Sequence, residues 1–219
     1  MLSPRLHTLP SSQRELWSEL AAIPPEFVLY GGTALALRLG HRTSEDFDFF
    51  SNRSFQPDEL ERRIPFLEGS TRLQSSPNTL VSRVDRKGPV KVSFFGGLTL
   101  RRVQDPETVE GPGFPVASLL DLAATKVKVV QDRAEAKDYI DLSRLLEEGV
   151  DLARALGAAR AVYGNSFNPL LSLKALSYFA DGDLSSLSDA IRSRLSAAVR
   201  KVDPNRLPEI QALSEGIVP

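Results

Sequence analysis

The chain has no cysteine and only two histidines, His7 and His41, in 219 residues. The first absence excludes disulfides, thiol nucleophiles and cysteine-ligated zinc, and the second excludes a multi-histidine metal site in one chain. A metal would need oxygen ligands, which points to Mg²⁺ or Mn²⁺. An excess of charge of one sign is also missing, since 27 basic residues face 28 acidic ones for a net of −1. Global charge therefore cannot drive nucleic-acid binding, and any such contact must use a local basic patch. No stretch approaches the roughly 20 apolar residues of a membrane span. The start, MLSPRLHTLPSSQREL, holds no run long enough for a signal peptide. A soluble, cytoplasmic protein without membrane contact is the expectation. Internal repeats and low-complexity segments are absent too. The remaining composition, 42% hydrophobic and 25% charged, is globular and excludes general disorder.

The pattern along the chain predicts two parts. Residues 11–22 form a short helix with Ser11 or Ser12 as N-cap, ended by Pro24 and Pro25. The run Phe27–Tyr30 is a buried strand leading into Gly31 and Gly32, and a helix follows to Gly40. Phe47–Phe50 alternates as a second strand, and residues 57–68 look helical, with Pro65 leaving the end ambiguous. Three further strands are predicted in TRLQSS, NTLVSRVDR and VKVSFFGG. After a loop at Gly111–Pro115 the pattern turns helical: FPVASLLDLAATKVKVVQD is a helix of about five turns, and AEAKDYIDLSRLLEEG is another. Residues 152–202 supply three or so more. The expected fold class is α+β, with an α/β core over residues 1–113 and a helical region over 114–219.

Four groups of residues could carry chemistry. Asp46 and Asp48 share one face of a strand while Phe47 and Phe49 take the other. Two carboxylates about 7 Å apart repel unless a cation sits between them, so the pair is a natural Mg²⁺ seat; taken in isolation it reads more readily as a solvent-facing strand edge with the phenylalanines inward. Gly31-Gly32-Thr33, between strand and helix, lets a ligand approach the backbone where a helix N-terminus favours phosphate; a plain tight turn gives the same pattern. It is neither a Walker A motif nor G-x-G-x-x-G. Lys126 lies on a stripe with Leu119, Ala123 and Val130, where an ammonium needs an anion or must snorkel at the core edge. Asp138 and Asp141 share a helical face that Leu142 and Leu145 continue; helix-start electrostatics explain Asp138 better than Asp141.

The order of these groups resembles a known family. GGTALALRLGHRTSEDFDFF is similar to the first motif of the AbiEii/AbiGii-type nucleotidyltransferase-like toxins, which include the MenT-type toxins. It matches at Gly31, Gly32, Leu35, Arg42, Ser44, Asp46 and Asp48. LAATKVKVVQDRAEAKDYIDL resembles the family's lysine helix and following Asp-x-x-Asp segment, with matches at Lys126, Arg133, Lys137, Asp138 and Asp141. The resemblance implies a polymerase-β-type mixed sheet flanked by helices, followed by a helical region that contributes lysine and aspartates to the cleft. It implies a Mg²⁺-dependent (or Mn²⁺-dependent) enzyme that moves a nucleotide from an NTP to an acceptor, with RNA such as tRNA as the acceptor. It further implies the toxin of a toxin–antitoxin pair, with a cognate antitoxin as partner.

Under that resemblance, the expected roles are these. Gly31, Gly32 and Thr33 open the backbone to the triphosphate. Ser44 donates to a phosphate oxygen, with Arg42 as charge partner. Asp46 and Asp48 hold the metal. Lys126 neutralises triphosphate charge, and Asp138 or Asp141 assists at the acceptor hydroxyl. One departure stands out: the family superfold usually carries a third acid on a neighbouring strand, whereas here that strand presents Ser93 or Lys91. The chain is also short for the family, so its acceptor-recognition parts are expected to be reduced. Two rival readings are a DxD-type nucleotide-sugar glycosyltransferase and a non-catalytic nucleotide-binding module of the same fold. A haloacid-dehalogenase-type phosphatase is rejected, because Phe50 stands where that motif needs Thr or Val. For RNA, the candidate basic residues are Arg83, Arg86, Lys87, Arg101 and Arg102, with Arg192, Arg194, Arg200 and Lys201.

Overall fold

The computed structural model describes residues 1–213, 216 and 217. The chain divides into two compact units. One holds Met1–Leu100, Asp105–Ser118 and the described residues Gly216 and Ile217; the other holds Arg101–Gln104 and residues 119–213.

The first unit is built on a mixed sheet of seven strands among the described residues: β1 Val28–Tyr30, β2 Asp46–Phe50, β3 Thr71–Ser76, β4 Thr79–Asp85, β5 Pro89–Phe95, β6 Glu107–Thr108 and β7 Pro115–Val116. Their spatial order is β3-β4-β5-β2-β1-β7-β6. β2 runs parallel to β5 and antiparallel to β1, while β1 pairs in parallel with β7 at Leu29 and Val116. Period-two alternation on β2 does what the sequence predicts: Phe47 and Phe49 are fully buried, and Asp46, Asp48 and Phe50 lie on the more open face. The buried face joins an aromatic core in which Phe49 stacks on Phe94 and meets Phe114 edge-on.

Three α-helices belong to this unit among the described residues: α1 Ser11–Leu16, α2 Gly31–Leu39 and α3 Pro57–Arg63. Pro10, not a serine, occupies the N-cap of α1, and the chain continues as a 3₁₀ turn over Trp17–Ala22. α3 stops at Arg63 because Pro65 disfavours helical backbone at Ile64, which is extended (φ −117°, ψ 96°). α2 ends at Gly40, whose positive φ of 64° closes the helix with a hydrogen bond from its N–H to the Ala36 carbonyl. Arg38 then fastens α2 to the sheet edge, donating to the Ala117 and Val116 carbonyls and pairing with Glu107 at 2.6 Å.

The second unit contains α4 Leu119–Val129, α5 Ala136–Glu147, α6 Leu152–Tyr163, α7 Pro169–Ala175 and α8 Asp189–Lys201. α4 packs on α5 and α6, and α5 packs on α8. Asp151, Asn168 and Ser188 cap α6, α7 and α8 through their side chains. α4 is shorter than the predicted five turns. Phe114 packs against Trp17 and Phe49 in the sheet core, and Pro115–Val116 forms β7, so the helix begins only at Leu119. The Asp121 carboxylate accepts the Val103 and Gln104 N–H groups, which ties residues 101–104 to the helical unit. Among the described residues no helix is long and apolar enough to cross a membrane.

Candidate active site

The chain leaves β1 at Tyr30 and enters α2 through Gly31, whose φ is +75°. Only glycine adopts this backbone without strain. Space is tight as well: a Cβ on residue 31 would lie 3.0 Å from the Asp48 Oδ2. A Cβ on residue 32 would lie 2.5 Å from an Arg42 guanidinium nitrogen and 3.1 Å from the Ser44 Oγ. Gly31, Gly32, Arg42, Ser44 and Asp48 therefore converge on the N-terminal end of α2. The unsatisfied N–H groups and positive dipole end of a helix favour negative charge there.

Thr33 is the element that holds this arrangement together. It is buried, and its hydroxyl donates to the Asp46 carbonyl oxygen and pairs with the Ser44 Oγ at 2.9 Å. One side chain thus pins the first turn of α2 to the start of β2. Arg42 is steadied by a 2.9 Å hydrogen bond to the Thr43 carbonyl.

On β2, the register places Lys91 directly beside Asp46 and Ser93 directly beside Asp48. Partners in register share a face, so both residues flanking the acid pair on β5 are non-acidic. The Lys91 Nζ lies 2.7 Å from the Asp46 Oδ2, and both side chains are a little over two-fifths exposed, at 42% and 43%. The Asp46 carboxylate, with a smaller contribution from Asp48, holds the Lys91 ammonium above its ordinary pKa of 10.5. The pairing of Lys91 with Asp46 was not foreseen from the sequence. The only signal for it was an alternating strand that carried Lys91 and Ser93, and no acid, beside the aspartate pair.

Lys126, Asp138 and Asp141 come together in the helical unit. The Lys126 Nζ lies 2.6 Å from the Asp138 Oδ1 and 2.7 Å from the Asp141 Oδ2, and both carboxylates are completely buried. Arg133 donates to the Asp138 Oδ2 at 2.8 Å. Burial alone would raise the Asp138 pKa, but the hydrogen bond from Arg133 and the Lys126 ammonium outweigh it and hold the carboxyl below its ordinary value. The anion that Lys126 needed on its apolar stripe is thus supplied by α5. Lys137, matched to the same motif, instead lies exposed and pairs with Glu135 at 2.7 Å.

Most of the basic residues named for RNA contact are engaged within their own units. Arg86 is paired with Glu19, Lys87 with Glu15, and Arg83 reaches Asp85 at 3.8 Å. Arg102 is buried. Arg192 donates to the Ser185 carbonyl, and Arg194 pairs with Glu147 at 2.6 Å. Arg101, Arg200 and Lys201 are exposed.

The donor chemistry of the strand pair suits magnesium. Mg²⁺ is commonly held by one or two carboxylates, with phosphate oxygens and water completing its shell. Asp46 and Asp48 supply two carboxylates on one face, and Asp46 already draws a cationic group to it. Within this unit, no three acidic or histidine side chains gather as a ready cluster among the described residues, so substrate oxygens would have to contribute ligands.

A glycine-led helix set against a strand with paired aspartates, in a mixed sheet, defines a nucleotidyltransferase-like protein. The solved structures agree on the fold. MenT4, a nucleotidyltransferase toxin of Mycobacterium tuberculosis H37Rv, is similar with a TM-score of 0.60 at 18% identity, over 88% of this chain and 83% of that one. A candidate nucleotidyltransferase from H. pylori is similar with a TM-score of 0.55 at 21% identity, over 86% and 90%. An uncharacterised protein of Aquifex aeolicus (strain VF5) is 32% identical over 181 residues, 80% of this chain and 85% of its own length. The model of the nucleotidyl transferase AbiEii toxin family, type IV toxin–antitoxin system, matches residues 15–215. The chain belongs to that family, and is a nucleotidyltransferase of the toxin class rather than a glycosyltransferase.

Proposed function

We propose that this toxin nucleotidyltransferase transfers a nucleotide from an NTP to an RNA hydroxyl, with tRNA as the acceptor and Mg²⁺ as cofactor, and that a cognate antitoxin restrains it. The observation that carries the proposal is the convergence of Gly31, Gly32, Arg42, Ser44 and Asp48 on the start of α2. Backbone N–H groups exposed by two glycines would face the triphosphate. Ser44 would donate to a phosphate oxygen, and Arg42 would offset its charge. Thr33, buried and satisfied within the protein, acts by positioning Ser44 and β2. Asp46 and Asp48 would hold the metal, which when bound neutralises phosphate charge in an in-line displacement. The acceptor hydroxyl oxygen bonds to the α-phosphorus, the bond to pyrophosphate breaks, and the hydroxyl proton passes to a carboxylate. Lys126, Asp138 and Asp141 enter as catalytic residues through the family motif alone.

The test is transfer from α-³²P-labelled ATP, CTP, GTP and UTP, with Mg²⁺, to bulk tRNA, with Asp48→Ala alongside. Label on RNA from wild type only is expected, and it would name the nucleotide. Equal labelling by Asp48→Ala would overturn the assignment of the pair. Labelling of protein or small molecules in place of RNA would overturn the acceptor.

A further inference from the structure

The strand on which the superfold usually carries a third acid presents Lys91 and Ser93 beside the acid pair, a cation and a neutral residue. Lys91 stands in register with Asp46, its ammonium 2.7 Å from the carboxylate, and the next residue on that face, Ser93, is neutral. Two carboxylates and one ammonium leave this part of the face with a single net negative charge. A two-metal site places its ions roughly 3.5–4 Å apart and must balance about four positive charges. An ammonium bonded to one of only two carboxylates works against that. On the other side of Lys91, β4 places Arg83 in register, so a second cation flanks the lysine, itself 3.8 Å from the Asp85 carboxylate.

We propose that Lys91 is a resident cation of the site: it competes with the divalent metal for Asp46 and limits the Asp46–Asp48 pair to one metal ion. This rests on the pair being the metal seat of the proposed transferase. The Lys91 and Asp46 side chains are both accessible to solvent, so the exchange of ammonium for metal needs no opening of the fold. With the metal bound, the displaced ammonium stays beside the pair, where it is placed to meet a phosphate oxygen.

The experiment titrates the nucleotide-free 219-residue chain with Mn²⁺ and reads free ion by electron paramagnetic resonance. Wild type, Lys91→Met, Lys91→Arg and Asp48→Ala are compared, with circular dichroism as the fold check. One ion per chain is expected in wild type. Binding should tighten on the order of tenfold in Lys91→Met, since a like charge within several ångströms of the ion is removed. Lys91→Arg should behave as wild type, and Asp48→Ala should lose binding. A purely structural lysine would not move metal affinity in this way. Equal affinity in wild type, Lys91→Met and Lys91→Arg, or two ions in wild type, would overturn the proposal. If Asp48→Ala still abolished binding in that case, the metal seat and the transferase reading would stand and Lys91 alone would fall. Absence of Mn²⁺ binding in every variant would overturn the metal seat and Lys91 together. Neither result depends on finding the right NTP or acceptor.

Discussion

Gly31 and Asp48 pack so closely that a methyl group on residue 31 would lie 3.0 Å from the Asp48 carboxylate oxygen. The contact joins the first residue of α2 to the middle of β2. It makes the glycine and the aspartate one structural unit, although 17 positions separate them in the chain.

Gly31→Ala should therefore do two things. The +75° φ and the contact should cost about 1–2 kcal/mol of stability, read as a lower urea midpoint. Displacing Asp48 by a few tenths of an ångström or more should lower transfer by as much as about a hundredfold, read in single-turnover assays. Activity at the wild-type level would mean that Asp48 placement is not critical.

Asp48→Asn preserves size and removes charge. Transfer should fall by a factor on the order of 10²–10³ or more, with thermal stability nearly unchanged. A stability loss as large as the activity loss would point to a structural carboxylate.

Lys126→Met should strand Asp138 and Asp141, both completely buried, without their ammonium. Removing one partner of a buried ion group costs about 3–5 kcal/mol. Chemical denaturation should show that loss whether or not activity is also affected. An unchanged midpoint would place the lysine in a purely catalytic role.

Acid should destabilise the helical unit through Asp138. Its folded pKa lies below the ordinary 3.8, so its contribution is fully present above that value and is lost as pH falls through the folded pKa. Melting temperatures from pH 7 down to pH 3 should therefore drop less steeply for Asp138→Asn than for wild type, from a lower starting point. Parallel curves would show that other carboxylates dominate acid unfolding.

Salt should have only a modest effect on RNA engagement through Arg86 and Lys87, since Glu19 and Glu15 already pair with them. The slope of RNA affinity against salt concentration should barely change in Arg86→Ala. A slope lower by about one unit would show that the arginine leaves Glu19 for a phosphate.

Local geometry made much of this protein readable from sequence. Alternation put Asp46 and Asp48 opposite Phe47 and Phe49, because a strand repeats every two residues whatever it pairs with. Gly40 ended α2, and the Asp138–Asp141 spacing placed two acids on one helical face, both consequences of backbone geometry within a few residues. The strand at Pro115–Val116 was hidden, because its apolar residues also fit the helical period that follows. It becomes a strand only through pairing with β1 and the packing of Phe114 against Phe49. The partner of Asp46 was beyond reach as well. Register between β2 and β5 is chosen by the buried Phe47, Phe49, Val92 and Phe94 on the far face of the sheet, and that choice alone brings Lys91 to Asp46. The sequence by itself determined which side chains could serve as ligands, phosphate contacts and counter-charges. Tertiary structure decided which of them meet, because pairing between distant segments is set by the burial of their apolar neighbours rather than by the polar residues themselves.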